Sequence, residues 1–210
     1  MIANISSNYS DFFALAQTQL PFMGRLLAML WVFNIINWFV KSRLNILGLY
    51  PRSTIGLIGI ITAPLPHGNF NHLFFNCIPL FVLGMFILAL GRDVFIAVSI
   101  LITMLQGTLV WLFGRKHIHI GASGVISGYF GFILGLAYFY PTLISLVLAF
   151  VAVYYFGSII AGIIPTSALI SWECHLAGLV SGLVVMYFML YVPGFEQQVL
   201  HLVNQALAHM

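Results

Sequence analysis

The sequence predicts an all-α membrane protein built as a bundle of six transmembrane helices. Of its 210 residues, 62% are hydrophobic and only 5% are charged, whereas a soluble domain carries about 25% charged residues. Several apolar stretches approach or exceed the ~18 residues that indicate a membrane-spanning helix. The net charge of +3 is small and scattered, which argues against a nucleic-acid partner and makes the basic residues topology signals.

The apolar stretches divide the chain into three parts. We assign a polar, interfacial segment to residues 1–21, a six-helix core to residues 22–192 and a tail to residues 193–210. The six predicted spans are residues 22–40, 73–90, 94–113, 120–140, 143–164 and 174–192. In the tail, Phe195 and Val199 are spaced for one side of a short amphipathic helix, together with Leu202 and Val203.

The first connection, residues 41–68, is unusually long for such a short chain. Its semi-apolar patch at residues 55–61 is too short to cross a bilayer. We expect this patch to lie in the membrane interface or to pack on the bundle.

A stretch of glycines and hydroxyls, residues 121–128, interrupts the apolar fourth span. Ser123 lies between Gly121 and Gly124, so that another group can approach its oxygen closely. Gly124 and Gly128 are four apart and form a groove into which a second helix can press. A serine needs an adjacent base to become a nucleophile, so another residue of the chain must supply that base.

Polar residues open each even-numbered span. His72 and Asn76 open the second span, Ser123 the fourth and His175 the sixth. Because even-numbered helices cross the membrane in one direction, their first turns face the same side at similar depth. Strongly polar side chains inside a membrane are costly and functional by default, so we expect one water-accessible pocket.

His175 is our candidate base, and Gly178 and Gly182 near its helix face would let the fourth and sixth spans pack closely. His119, four residues before Ser123, is an alternative base, although a solvated connector explains it more simply. Glu173 is two residues before His175 and points to the opposite side of a helix. We therefore predict a Ser–His dyad.

His72 and Asn76 are four residues apart and share a helix face. Their side-chain N–H groups suit an oxyanion that develops during acyl transfer, and the positive end of the fourth helix adds to this near Ser123. Helix caps or interface residues are the alternative interpretation.

No motif indicates a metal or another cofactor. HExxH is absent, and His67 and His72 diverge on a helix. Cys77 and Cys174 are the only cysteines, without CxxC spacing. We expect no cofactor, no metal and two free thiols.

Taken together, three motifs resemble the rhomboid family of intramembrane serine proteases. They are GASG at residues 121–124, HLAG at residues 175–178 and HGNFNHLFFN at residues 67–76, on spans four, six and two. The resemblance implies the six-helix rhomboid core, Ser123 as nucleophile, His175 as base, and an oxyanion hole from His72, Asn76 and the Ser123 N–H. Many members have an aromatic residue four after the serine, where this chain has Ser127.

The expected function is a serine endopeptidase that cleaves transmembrane segments of other proteins in the bacterial inner membrane. A rhomboid-like protein without activity that binds membrane clients is the alternative. A transporter would line a path across the membrane with polar groups, and these cluster at one end instead. Charge bias puts the odd-numbered loops in the cytoplasm; the resemblance implies the opposite orientation, which we adopt.

Overall fold

The computed structural model describes residues 2–158, 162 and 171–200. Within these ranges the secondary structure is helical, apart from one isolated antiparallel bridge between Leu49 and His119. The prediction of an all-α protein is confirmed.

Seven α-helices are described before the tail. They are α1 (Ile2–Phe39), α2 (Gly59–Thr62), α3 (Phe70–Leu88), α4 (Arg92–Phe113), α5 (Ser123–Phe139), α6 (Leu143–Phe156) and α7 (Trp172–Met189), with short 3-10 helices at Arg43–Leu47 and Ile55–Leu57. The six longer helices overlap the six predicted spans, with different bounds. The first begins far earlier than residue 22, because the backbone remains helical through Pro21.

Four described segments are long and apolar enough to cross a membrane: Gln17–Phe39, Phe70–Leu88, Arg92–Phe113 and Trp172–Met189. Helix α5 has 17 residues and α6 has 14, so both are shorter apolar helices. The predicted fifth span continues to residue 164, and most of its end lies outside the described residues.

Local sequence explains where several helices begin. The Asn69 side chain accepts a hydrogen bond from the His72 N–H at 2.9 Å and caps α3. Thr142 and Ser145 form a reciprocal capping box at the start of α6. Helix α4 follows Gly91, whose φ of +124° is favourable only for glycine.

Helix α5 is the centre of the bundle, because it contacts α3, α4, α6 and α7 and nearly all of its residues are buried. Its most extensive contact is with α7. A Cβ atom on Gly178 would overlap the carbonyl oxygen of Gly124, and one on Gly182 would overlap that of Gly128. The two backbones therefore touch along this contact.

The first connection packs on the bundle and also exposes apolar side chains. Gly107 of α4 leaves room for Ile60, whose carbonyl oxygen would lie 2.6 Å from a Cβ at that glycine. Ile55, Ile58 and Ile61 are exposed on the outer side. The patch at residues 55–61 thus covers α4 while presenting an apolar outer surface.

The beginning of the tail returns to the core. Residues 195–200 are helical, and Phe195 and Val199 are buried. Leu202 and Val203, predicted for the same helix face, lie outside the described residues.

Candidate active site

The turn before Ser123 has a conformation that requires glycine. Gly121 has a φ of +105°, and a Cβ atom there would lie 2.8 Å from Nε2 of His72 and 3.5 Å from Nδ2 of Asn76. Gly121 therefore brings the turn directly against the two side chains at the start of α3. The sequence predicted only that His72 and Asn76 share a helix face. The fold shows that the turn before Ser123 lies against both side chains.

Backbone N–H groups before Ser123 are held by fixed acceptors. The Gly121 N–H donates to the carbonyl of Ala63 at 2.8 Å, and the Ala122 N–H donates to Nε2 of His67 at 3.3 Å. Helix α5 begins at Ser123, and the first N–H groups of a helix have no intrahelical acceptor. The N–H of Ser123 is consequently the first N–H after this turn without an intrahelical acceptor, and it follows the turn that lies against His72 and Asn76.

Ser123 itself is half-buried. The described residues contain no hydrogen bond between Ser123 and His175. Their helices nevertheless touch next to both residues, since a Cβ on Gly124 would lie 3.3 Å from the carbonyl oxygen of Cys174. Hydrogen bonds between catalytic groups are often long before substrate binds.

His175 lies in the first turn of α7. Its Nδ1 is buried and has no hydrogen-bond partner among the described residues. Its ring is close enough to His72 for charges on the two rings to repel each other, and it interacts with the backbone of Gly162. The side chains of His72 on α3 and His175 on α7 therefore lie near each other.

Asn76 has the second unpartnered nitrogen of the site. Its Nδ2 is buried and makes no hydrogen bond to any described residue. Buried polar atoms in folded proteins are nearly always paired, so an amide donor that lacks a partner among the described residues is suited to receive a ligand oxygen.

His67 is a residue whose role sequence analysis did not identify. It is completely buried; its backbone N–H donates to Oδ1 of Asn34 at 2.7 Å, and its Nδ1 lies 3.1 Å from the carbonyl of Leu65. Burial, followed by the neighbouring His72, lowers the pKa of His67 to about 4. The neutral ring thus donates from Nδ1 and accepts the Ala122 N–H at Nε2, tying α1 to the turn before Ser123. Its place at the start of the HGNFNHLFFN motif was the available signal.

His119 is buried rather than solvated, contrary to our expectation for this connector. Only 2% of its surface is exposed, and burial is the main cause that lowers its pKa to about 4. Its Nδ1 hydrogen-bonds the Ser171 hydroxyl and its Nε2 lies 3.0 Å from the carbonyl of Arg115. Helix α5 begins only at Ser123, so His119 and Ser123 do not share a continuous helix.

Glu173 pairs with Arg115. The Arg115 guanidinium binds both carboxylate oxygens, with Nη2 lying 3.1 Å from Oε2, and the Arg115 backbone N–H lies 3.3 Å from Oε1. This ion pair joins the α4–α5 connector to the first turn of α7. The carboxylate is engaged there and not with His175.

Ser127 occupies the helix contact below Ser123. It is completely buried, and its hydroxyl donates to the carbonyl of Ser123 at 2.9 Å. A Cβ on Gly178 would lie 3.0 Å from the Ser127 Cβ. The close α5–α7 contact therefore favours a small residue at position 127.

A cavity of about 10 Å³ lies behind the turn, which is room for about one water molecule. It is lined by Leu49, Ala63, Gln106, Val110, His119, Ile120, Gly121, Gly124 and Cys174.

The helices and the polar pocket at one end of the bundle define a polytopic helical membrane protein. A model of the Rhomboid domain matches residues 55–192. An uncharacterized protein of Mycobacterium tuberculosis is 36% identical over 171 residues, which cover 77% of this chain and 71% of that protein. An uncharacterized protein of Mycobacterium leprae is 31% identical over 172 residues, which cover 78% of this chain and 68% of that protein. The chain belongs to the rhomboid family and is a multi-pass bacterial membrane protein.

Proposed function

We propose that this rhomboid protein is an intramembrane serine endopeptidase with six membrane-spanning helices, which cleaves transmembrane segments of other membrane proteins. The observation that carries the proposal is that the turn before Ser123 lies against His72 and Asn76 of α3, while the start of α5 lies against the start of α7. Ser123, His175 and the pair His72 and Asn76 lie on separate helices, and this group contains two of the three buried side-chain nitrogens that have no hydrogen-bond partner among the described residues.

In the proposed reaction, the Ser123 oxygen attacks the scissile carbonyl while the imidazole of His175 takes its proton. The carbonyl oxygen gains negative charge, which the N–H groups of His72, Asn76 and Ser123 stabilise. His175 then protonates the leaving amine. A water molecule, deprotonated by the same imidazole, hydrolyses the acyl-enzyme and releases Ser123.

A dyad without a carboxylate is supported by the position of Glu173. Its carboxylate binds Arg115, which leaves His175 without an acidic partner among the described residues. The substrate segment has to unwind locally before attack, because helical carbonyls are already hydrogen-bonded. Helix-weakening residues near the cleavage point are therefore expected in substrates.

The test combines covalent labelling with cleavage in detergent or liposomes. A fluorophosphonate probe should label the wild-type protein and not Ser123→Ala, and both Ser123→Ala and His175→Ala should abolish cleavage of a transmembrane substrate. Removing either member of such a pair costs about as much as removing both. His119→Gln is the matched histidine control and should remain able to react with the probe.

A folded wild-type protein that neither reacts with the probe nor cleaves any transmembrane substrate would contradict the proposal. It would instead favour an inactive rhomboid protein that binds membrane clients. Loss of labelling in His119→Gln, with labelling retained in His175→Ala, would assign the base to His119.

A further inference from the structure

A second cluster of ionisable side chains lies beside the candidate active site. It consists of His117 and His119 from the α4–α5 connector and Glu173 from the first turn of α7. One candidate ligand atom from each residue lies within 4.8 Å of the others. His119 and Glu173 are buried and His117 is half-buried. Imidazole nitrogen and carboxylate oxygen are preferred ligands of zinc.

Backbone carbonyls determine which ring nitrogens carry protons. Nδ1 of His117 lies 3.3 Å from the carbonyl oxygen of Ile118, and Nε2 of His119 lies 3.0 Å from that of Arg115. A carbonyl oxygen only accepts, so these two nitrogens donate. Nε2 of His117 and Nδ1 of His119 are left with lone pairs. Histidines that bind metals have this arrangement, in which the second ring N–H is held by an acceptor.

One of these lone pairs has no partner. Nε2 of His117 is buried and makes no hydrogen bond to the described residues, which is uncommon for a buried polar atom. The rings of His117 and His119 lie with centroids 3.9 Å apart. Cys174 is a further potential metal ligand, since its Sγ lies 3.5 Å from Nδ1 of His119.

Arg115 currently neutralises the carboxylate of the cluster. Its side chain is 41% exposed, whereas that of Glu173 is 8% exposed. The guanidinium is therefore the solvent-facing partner of the pair, and the carboxylate is the buried partner. A divalent ion and Arg115 would compete for the same two oxygens.

We propose that His117, His119 and Glu173 bind a divalent transition-metal ion of the zinc type, which displaces Arg115 from Glu173. Sequence analysis predicted no metal, because the ligands come from two distant segments with no local spacing motif. A bound ion would join the connector that leads to Ser123 with the helix that carries His175. Binding does not depend on protease activity, so the proposal stands or falls separately from the proposed function.

The experiment titrates full-length, tag-free protein in detergent with zinc chloride, and follows binding by calorimetry and the thermal unfolding midpoint. One ion per chain and a raised midpoint are expected, because a ligand of the folded state stabilises it. His117→Gln and Glu173→Gln should each weaken binding at least about tenfold. His201→Gln and Glu196→Gln are the matched controls and should leave the affinity unchanged. Magnesium should not compete, since it prefers all-oxygen ligands.

Arg115→Gln separates a metal site from a structural ion pair. Removing the competing guanidinium should tighten zinc binding severalfold, in the opposite direction to Glu173→Gln. Weaker binding in both variants, or equal affinity in wild type and His117→Gln, would overturn the proposal. His117 is half-buried and outside the ion pair, so His117→Gln keeps the test valid if the Glu173 variant fails to fold.

Discussion

At the scale of single residues, the environment of Asn76 is informative. Its amide nitrogen is buried, has no hydrogen-bond partner in the part of the chain that the structure describes, and faces a turn in which only glycine fits. The side chain of a helix cap hydrogen-bonds the helix backbone, and in α3 Asn69 already makes that hydrogen bond. The arrangement favours the hypothesis that Asn76 donates to an oxyanion over the interpretation that it caps the helix.

Asn76→Ala should lower kcat about 10- to 1000-fold, with little change in KM, because the interaction is strongest in the transition state. His72 and the Ser123 N–H remain, so some activity should persist. The measurement is steady-state kinetics on one transmembrane substrate. Asn71→Ala is the control, since Asn71 is an exposed residue of the same helix. A change confined to KM would make Asn76 a substrate-binding residue instead.

His67 illustrates at the same scale how one buried side chain can support a site without entering it. It connects Asn34 of α1 with the N–H of Ala122, and its ring packs against His72 with centroids 4.9 Å apart. Its neutral state allows both hydrogen bonds at once. The turn before Ser123 is thereby positioned from a helix outside the site.

At the scale of elements, the contact between α5 and α7 sets the distance between Ser123 and His175. Glycines on both helices let the backbones touch, which is the packing expected of small residues in membrane helices. Helix α5 can remain short because it is enclosed by protein. At membrane depth, backbone beyond a helix end is tolerated where it is buried in protein or lines a water-filled cavity.

Gly178→Ala should lower the thermal unfolding midpoint and reduce activity in parallel. The added Cβ would overlap a backbone carbonyl of Gly124, so the helices must move apart, and overpacking of this kind costs about 1–3 kcal/mol. Gly24→Ala in α1 is the matched control, because a Cβ there meets nothing within 4 Å, and alanine has the higher helix propensity. Equal midpoints for the two variants would show that the glycine contact does not matter.

At the scale of the whole molecule, the first loop and the α4–α5 connector lie at the same end of the bundle. Leu49 and His119 form a backbone bridge, and Nη1 of Arg52 donates to the carbonyls of Leu112 and Gly114 at 3.0 and 2.9 Å. Arg52 thus caps α4, and Arg115 pairs with Glu173. These two cations have structural roles, which weakens the charge bias as a guide to orientation.

We follow the orientation that the rhomboid resemblance implies and predict that this end faces away from the cytoplasm. In intact cells, a membrane-impermeant thiol reagent should label Lys116→Cys above the wild-type level and label Arg92→Cys only after permeabilisation. Lys116 is exposed in the connector, and Arg92 is at the opposite end, beside the Gly91 turn. The reverse pattern would support the orientation that the positive-inside rule predicts.

The sequence by itself determined the helical class, the approximate positions of the long helices and the common side on which the even-numbered helices begin. These follow from apolar run lengths and from the parity of the spans, both of which are local or countable properties. It placed His72, Asn76, Ser123 and His175 at one end of the bundle for the same reason.

Tertiary structure alone decided which partners the other polar groups take. Three contacts join segments that are far apart in the chain. They are the hydrogen bond from the Ala122 N–H to His67, the ion pair of Glu173 with Arg115, and the cluster of His117 and His119 with Glu173. The spacing of these residues in the sequence does not predict the contacts. They arise because the buried backbone contact of α5 with α7 brings the connector against the first turn of α7, where each buried polar group must find a partner or remain unsatisfied.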